Sequence, residues 1–409
     1  MTSPTLSPTV DITVAPQPQR SQWAVLCVLI YFMLLAVSII GNGFNTMTSG
    51  HAEGLFEFAS HPVTGLIIGI LATALIQSSS TVTSIIVAMV AGGLPITLAV
   101  PMMMGANVGT SITNTIVSMG HIHDKREYEK AFQAATIHDV FNVMAVIIFL
   151  PLEILFGILE HLSGLLVSWM HSDTAVAVGG FNPIKAVTKP VNEQLQWLLG
   201  DLSNGYAGAI MIVLGIGLIV ASITFLGRIM KALMVGRAKS LLYKSIGRGP
   251  VSGIASGTAV TVLVQSSSTT TSLMVPLVGS GVLTARDIYP FTLGANIGTC
   301  ITALIAALGV AGINSGLALQ IALVHLIYNV LGVALIYGVP MLRNIPLTLS
   351  YQLSVIAAER KVYGAAYIGG LFFFMPLSRS LLLWRRKIPT LLKKNSVMKK
   401  KSSKKRVLN

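Results

Sequence analysis

The chain has 409 residues, of which 53% are hydrophobic and only 10% charged, where a soluble domain averages about 25% charged. Its formal net charge is +14, but Arg385 to Arg406 holds eleven basic residues and no acidic one, so residues 1–384 carry only +3. This balance excludes a disordered chain and an ordinary soluble enzyme; a nucleic-acid binder is excluded too, because the cationic excess sits in one tail and aromatics make up 7%.

In chain order, residues 1–21 are rich in Pro, Ser and Thr and nearly uncharged, which predicts a disordered N-terminal tail. Trp23 to Ile40 is the first apolar run. It begins too late for a short cleaved signal and lacks a small-x-small site before Gly41-Asn42-Gly43, so it reads as a retained spanning helix within a segment 22–60. Further apolar stretches run at about 63–94, 95–120, 136–158, 207–227, 252–283, 284–311, 315–341 and 361–384. Stretches 63–94 and 252–283 exceed one crossing, and a Ser/Thr cluster interrupts each. Stretches 95–120 and 284–311 contain Gly-Ala-Asn-x-Gly-Thr, which predicts helix breaks.

The hydrophilic stretches set an orientation. His121–Lys130 holds three basic residues and Arg228–Arg248 six, the latter spaced like one face of an amphipathic helix, so both belong in the cytoplasm; polar 171–205 belongs outside. Counting crossings then puts the 385–409 tail outside if 315–341 and 361–384 both cross, in conflict with its charge. Cys27 and Cys300 lie in separate apolar runs and form neither a disulfide framework nor a metal cluster.

An internal repeat carries the functional argument. Gln77-Ser78-Ser79-Ser80-Thr81 recurs as Gln265-Ser266-Ser267-Ser268-Thr269, offset 188, with nine identities in fifteen over 77–91 and 265–279. Gly105-Ala106-Asn107-Val108-Gly109-Thr110 recurs as Gly294-Ala295-Asn296-Ile297-Gly298-Thr299, offset 189, with seven identities in nine through Thr113 and Thr302. His138-Asp139-Val140-Phe141-Asn142 answers to His325-Leu326-Ile327-Tyr328-Asn329, offset 187. Three motifs in one order at nearly one offset define two copies of a unit, in segments 61–150 and 251–340, separated by a connecting segment 151–250 and followed by a C-terminal membrane segment 341–384.

Matched polar breaks in the two halves of a membrane protein point to a transporter's binding site. Ser is a preferred N-cap, so each cluster marks where a helix restarts, and its free N–H groups suit an anion. Two such ends meeting at mid-membrane make an anion site without Lys or Arg. The Gly-Ala-Asn-x-Gly-Thr motifs add Asn and Thr oxygens and freed carbonyls, hard neutral ligands suited to Na⁺. The plainer reading of one Ser-Ser-Ser cluster is helix back-bonding or interhelical glue; two matched clusters weigh against it. His138 and His325 read as satisfied core histidines, Glu153 as structural, and Met102-Met103-Met104 as packing.

The doubled Gln-Ser-Ser-Ser, each followed by Gly-Ala-Asn-x-Gly-Thr, with His-Asp-Val-Phe-Asn after the first, resembles the type II sodium-dependent phosphate cotransporters over roughly 61–150 and 251–335. The resemblance implies a bacterial-type member, and an all-α polytopic membrane protein with two inverted-topology repeats, each with a re-entrant hairpin and a broken transmembrane helix. It implies a multi-pass plasma-membrane (bacterial inner-membrane) symporter, not an enzyme, importing inorganic phosphate with Na⁺ as co-transported ion and no other cofactor. Gln77, Ser78, Ser79, Ser80, Gln265, Ser266, Ser267 and Ser268 would line the phosphate site. Gln265, Ser266, Asn107, Thr110, Asn296, Thr299 and Thr302 would serve sodium. Its partners are phosphate, sodium and the lipid bilayer, with no nucleic acid. Another oxyanion or a dicarboxylate on the same architecture is the rival reading; Cys300-Ile301 departs from the Thr-richer family pattern and bears on the sodium sites.

Overall fold

Long apolar runs without charge fold as helices because hydrocarbon offers the backbone no hydrogen-bond partner of its own. The computed structural model describes residues 20–48, 61–174, 183–245, 249–310, 314–374 and 376, and every regular element among them is helical. The expected disordered start and the polybasic 385–409 tail lie outside the described residues. Six described helical segments are long and apolar enough to cross a bilayer: Ser21–Met47, Ile96–His121, Lys125–Phe156, Asn204–Ala232, Ala285–Leu308 and Ser315–Tyr337. The protein is therefore an all-α polytopic membrane protein.

Helix α1 (Arg20–Thr48) packs along α9 (Asn204–Ser245). Between them in sequence comes the first repeat. Helices α2 (Pro62–Ile76) and α3 (Ser79–Ala91) have 15 and 13 residues, roughly 22 and 20 Å, so neither spans a hydrocarbon core of ~30 Å. Helix α2 ends at Ile76 and α3 restarts at Ser79, with the chain turning at Gln77-Ser78. Helix α4 (Ile96–Gly109) is followed by α5 (Ile112–Ser118) and then by α6 (Lys125–Phe156), whose start is capped by Asp124. The backbone N–H groups of Glu127 and Arg126 on that carboxylate hold it below its usual range.

The second repeat follows the same plan. Helix α10 (Pro250–Val264) turns at Gln265-Ser266 into α11 (Ser267–Ser272) and α12 (Met274–Gly279), then α13 (Ala285–Leu308) and α14 (Ser315–Gly332), with a π turn at Val333–Tyr337. The repeats interlock. Helix α3 packs on α13 and α14, while α11 and α12 pack on α5 and α6.

Several expectations need correction. The Gly-Ala-Asn-x-Gly motifs are not unwound: α4 stays helical through Gly109 and breaks only at Thr110-Ser111, and α13 is continuous across its copy. The glycines serve packing instead. A Cβ on Gly105 would collide with the carbonyl of Leu66, and one on Gly294 with that of Ile254. The motif is thus the face on which each hairpin arm, α2 or α10, lies against its neighbouring long helix. The polar stretch 171–205 is not all loop. It contains α8 (Pro183–Leu198), tied to α1 by Tyr31 Oη donating to Val187 O and Asn192 Nδ2 donating to Ser38 Oγ. Helices α7 (Ile158–Thr174) and α15 (Pro340–Glu359), the latter packed on α6, were also not foreseen. In the final apolar stretch, the nine residues of α16 (Lys361–Gly369) continue into a five-residue π turn at Gly370–Phe374. That described part reaches roughly 21 Å, short of one crossing. Both cysteines are free, but Cys27 is exposed on α1 and only Cys300 is buried.

Candidate functional site

The two hairpin turns are built identically. Gln77 (φ 55°) and Gln265 (φ 57°) are the only non-glycine residues with positive φ among the described residues. Each ends one helix in the left-handed conformation, its N–H bonded four residues back, to Thr73 O and Thr261 O respectively. The following serine caps the next helix: Ser78 Oγ accepts from Thr81 N at 3.3 Å and Ser266 Oγ from Thr269 N at 3.2 Å. Placing a side chain where Gly is the usual occupant costs of order 1–3 kcal/mol, a strain that recurs at functional sites.

Both turns open into one cavity of about 360 Å³. It is lined by Gln77, Ser78, Ser79 and Ser80 from the first repeat, and by Gln265, Ser266, Ser267, Ser268 and Thr269 from the second. All eight residues expected to line an anion site therefore meet in one place. Helices α3 and α11 point their N-terminal ends into it, and α11 leads on through Leu273, itself in right-handed helical conformation, into α12.

The third wall was not foreseen. It is the face of α9 carrying Ile223, Thr224, Gly227, Arg228 and Lys231. The i, i+3/i+4, i+7 spacing was legible as a helix face, but α9 runs unbroken from the spanning segment into the basic stretch. Arg228 and Lys231 thus stand on the cavity wall, contrary to the expectation of a site without Lys or Arg nearby.

The expected sodium residues divide into two groups. Gln265 and Thr302 come together, Thr302 Oγ1 donating to Gln265 Oε1 at 3.2 Å. Ser268 Oγ reaches the carbonyl of Thr110 at 3.4 Å, where the α4–α5 break frees it. The Thr110 and Thr299 hydroxyls bond back to Ala106 O and Ala295 O.

Asn107 and Asn296 form a second, fully buried centre with the histidines. Asn142 Nδ2 donates to the carbonyl of Asn107, which can only accept, and this fixes every other direction: Asn142 Oδ1 accepts from Asn296 Nδ2 at 2.7 Å, and Asn296 Oδ1 accepts from His138 Nε2 at 2.6 Å. The mirrored chain starts at Asn329 Nδ2, which donates to His325 O; Asn107 Nδ2 donates to Asn329 Oδ1 at 2.7 Å, and His325 Nε2 to Asn107 Oδ1 at 3.2 Å. Both histidines are fully buried and partnered through Nε2, but only His138 is satisfied at both ring nitrogens, as the sequence reading expected of each. The symmetry fails at one point. His138 Nδ1 meets Asn114 Nδ2 at 3.4 Å, and Asn114 Oδ1 accepts from Thr271 Oγ1 at 3.0 Å. At the equivalent position the second repeat has Ala303, and His325 Nδ1 is left without a partner.

Asp139 was noted in the sequence but given no role. It is fully buried, with Oδ2 accepting from Thr115 Oγ1 at 3.2 Å and Tyr367 Oη at 3.0 Å, while Oδ1 has no partner. Glu153 differs: its carboxylate accepts the N–H groups of Leu159 and Glu160 at the start of α7, the structural role expected of it. Met102, Met103 and Met104 are core packing. Among the described residues no group of three or more His, Cys, Asp or Glu could hold a metal ion.

The family model described as Na⁺/Pi-cotransporter matches residues 32–167 and 218–346. The chain is 30% identical to sodium-dependent phosphate transport protein 2B of Pongo abelii over 87% of its length, and 31% identical to the Bos taurus protein of that name over 89%. It is 30% identical to sodium-dependent phosphate transport protein 2A of Mus musculus over 85%. It spans about 65% of the length of each of these relatives. No solved structure matches the chain significantly.

Proposed function

The chain belongs to the Na⁺/Pi-cotransporter family, and from that premise we propose that it is a sodium-driven symporter of inorganic phosphate, working by alternating access in the plasma membrane. The observation that carries this reading is the convergence of Gln77–Ser80 and Gln265–Ser268 on one cavity. A tetrahedral dianion presents several acceptor oxygens. The serine hydroxyls and the free N–H groups at two helix starts present donors, and the helix dipoles add partial positive charge.

Sodium supplies the rest. Oxygens of Gln265, Ser266, Thr302 and Ser268, with the Thr110 carbonyl, form a neutral hard-ligand set beside the phosphate donors. Thr299, Asn107 and Asn296 complete the proposed sodium residues; the two asparagines also tie the repeats together. Asp139 deepens the case: a fully buried carboxylate with one bare oxygen calls for a counter-cation. Binding of Na⁺ makes the cavity more positive and so raises its affinity for phosphate, which couples the two fluxes. The two repeats, inserted with opposite orientation, bring their hairpin tips together from the two faces, and rocking of one against the other opens the cavity to each side in turn.

The names of the relatives favour phosphate over another oxyanion or a dicarboxylate. Purified protein in liposomes tests the reading: labelled phosphate should accumulate on an inward Na⁺ gradient and not on a K⁺ gradient, and excess succinate or sulfate should leave the flux intact. Flux indifferent to Na⁺, or displaced by succinate, contradicts it.

A further inference from the structure

We infer that Arg228 and Lys231 form a cationic subsite on the cytoplasmic mouth of the cavity, which draws and briefly holds a phosphate anion on that side of the membrane only. The inference rests on the proposed phosphate transport. Both residues line the same cavity as the two Gln-Ser-Ser-Ser turns, on one face of α9 with Thr224 and Gly227. Both are exposed, and no acidic residue lines the cavity with them. Neither has an ion-pair partner among the described residues; the Arg228 guanidinium instead sits 5.4 Å from the Phe225 ring centroid. Two unpaired cations facing a cavity whose other polar side chains are hydroxyls and amides give it a positive field, and such a field raises the local concentration and arrival rate of anions.

The side follows from the same helix. Beyond Lys231 the chain carries Arg237, Lys239, Lys244 and Arg248 with no acidic residue between, a density that keeps this end of α9 cytoplasmic. The cations therefore serve the face where phosphate is released. They make the cytoplasmic approach more favourable to phosphate than the external one, so internal phosphate rebinds and slows further import. Sequence alone hid this, because Arg228 and Lys231 read there as the start of a solvated basic face.

Right-side-out and everted membrane vesicles containing the full chain separate the two faces. The variant Arg228→Gln/Lys231→Gln should raise the phosphate KM of the everted vesicles at least about threefold more than that of right-side-out vesicles at low ionic strength, the size expected of exposed charge pairs. Salt should raise the KM of the unmodified protein in everted vesicles and affect the variant less. Charge-preserving Arg228→Lys/Lys231→Arg should restore the original KM, which a merely structural role would not produce. Equal KM changes on both faces, or failure of the charge-preserving variant to restore while it expresses and purifies normally, overturns the inference. Absence of Na⁺-dependent phosphate flux in the unmodified protein removes the functional reading, and this inference with it.

Discussion

Asn296 Oδ1 accepts a 2.6 Å hydrogen bond from His138 Nε2 across the boundary between the two repeats. The mirrored bond, from His325 Nε2 to Asn107 Oδ1, is 3.2 Å long. Each repeat thus presents one asparagine from its long helix to the His–Asn pair of the other. Four hydrogen bonds among six buried asparagines and histidines thus join the repeats, and removing one member leaves its partner unsatisfied in the core.

The first prediction uses that reciprocity. His138→Ala and Asn296→Ala should each cost about 1–3 kcal/mol of stability, and the double variant should lose less than the sum, by at least about 0.5 kcal/mol. His325→Ala should cost less than His138→Ala, because its bond is longer and its Nδ1 has no partner to forfeit. Denaturant titration of the purified protein measures all four; strict additivity contradicts the account.

A second prediction concerns the left-handed turns. Gln265→Gly relieves the positive φ and should preserve or slightly raise thermal stability, while Gln265→Ala keeps the strain. Both remove the acceptor of Thr302 Oγ1, so both should abolish most Na⁺-dependent uptake. Gln77→Gly should be better tolerated in its Na⁺ dependence, since the Gln77 side chain is exposed and has no equivalent bond. Uptake against Na⁺ concentration, set beside thermal midpoints, separates backbone strain from ligand loss.

Asp139→Asn removes the one buried carboxylate with an unpartnered oxygen among the described residues while keeping its size. It should raise the Na⁺ concentration for half-maximal uptake by about tenfold, and it should change the net charge moved per phosphate, read as current at a fixed membrane potential. An unaltered Na⁺ dependence would show that this carboxylate is structural.

How much of this was legible depended on the kind of signal. The paired Gln-Ser-Ser-Ser motifs located the two turns and eight of the cavity's lining residues, because repetition at one offset is a long-range signal that sequence preserves. The glycines misled: the same residue that permits an unwound turn also permits close helix packing, and only the Leu66 and Ile254 carbonyls over Gly105 and Gly294 decide between them. Helices α7, α8 and α15 escaped because they are too polar or too short to stand out by hydropathy, and their stability comes from packing on neighbours. Arg228 and Lys231 escaped for another reason. Their role depends on which face of an unbroken α9 meets the cavity, a tertiary fact that composition does not carry.

The central claim is that Na⁺ and phosphate meet between the two turns. Phosphate binding to the purified protein, titrated calorimetrically in NaCl and in KCl at equal ionic strength, tests it most directly. Sodium should tighten phosphate binding at least about tenfold, within the usual range of coupling between two sites, and Ser266→Ala should remove most of that gain. Equal affinity in the two salts, or a sodium effect untouched by Ser266→Ala, would contradict it.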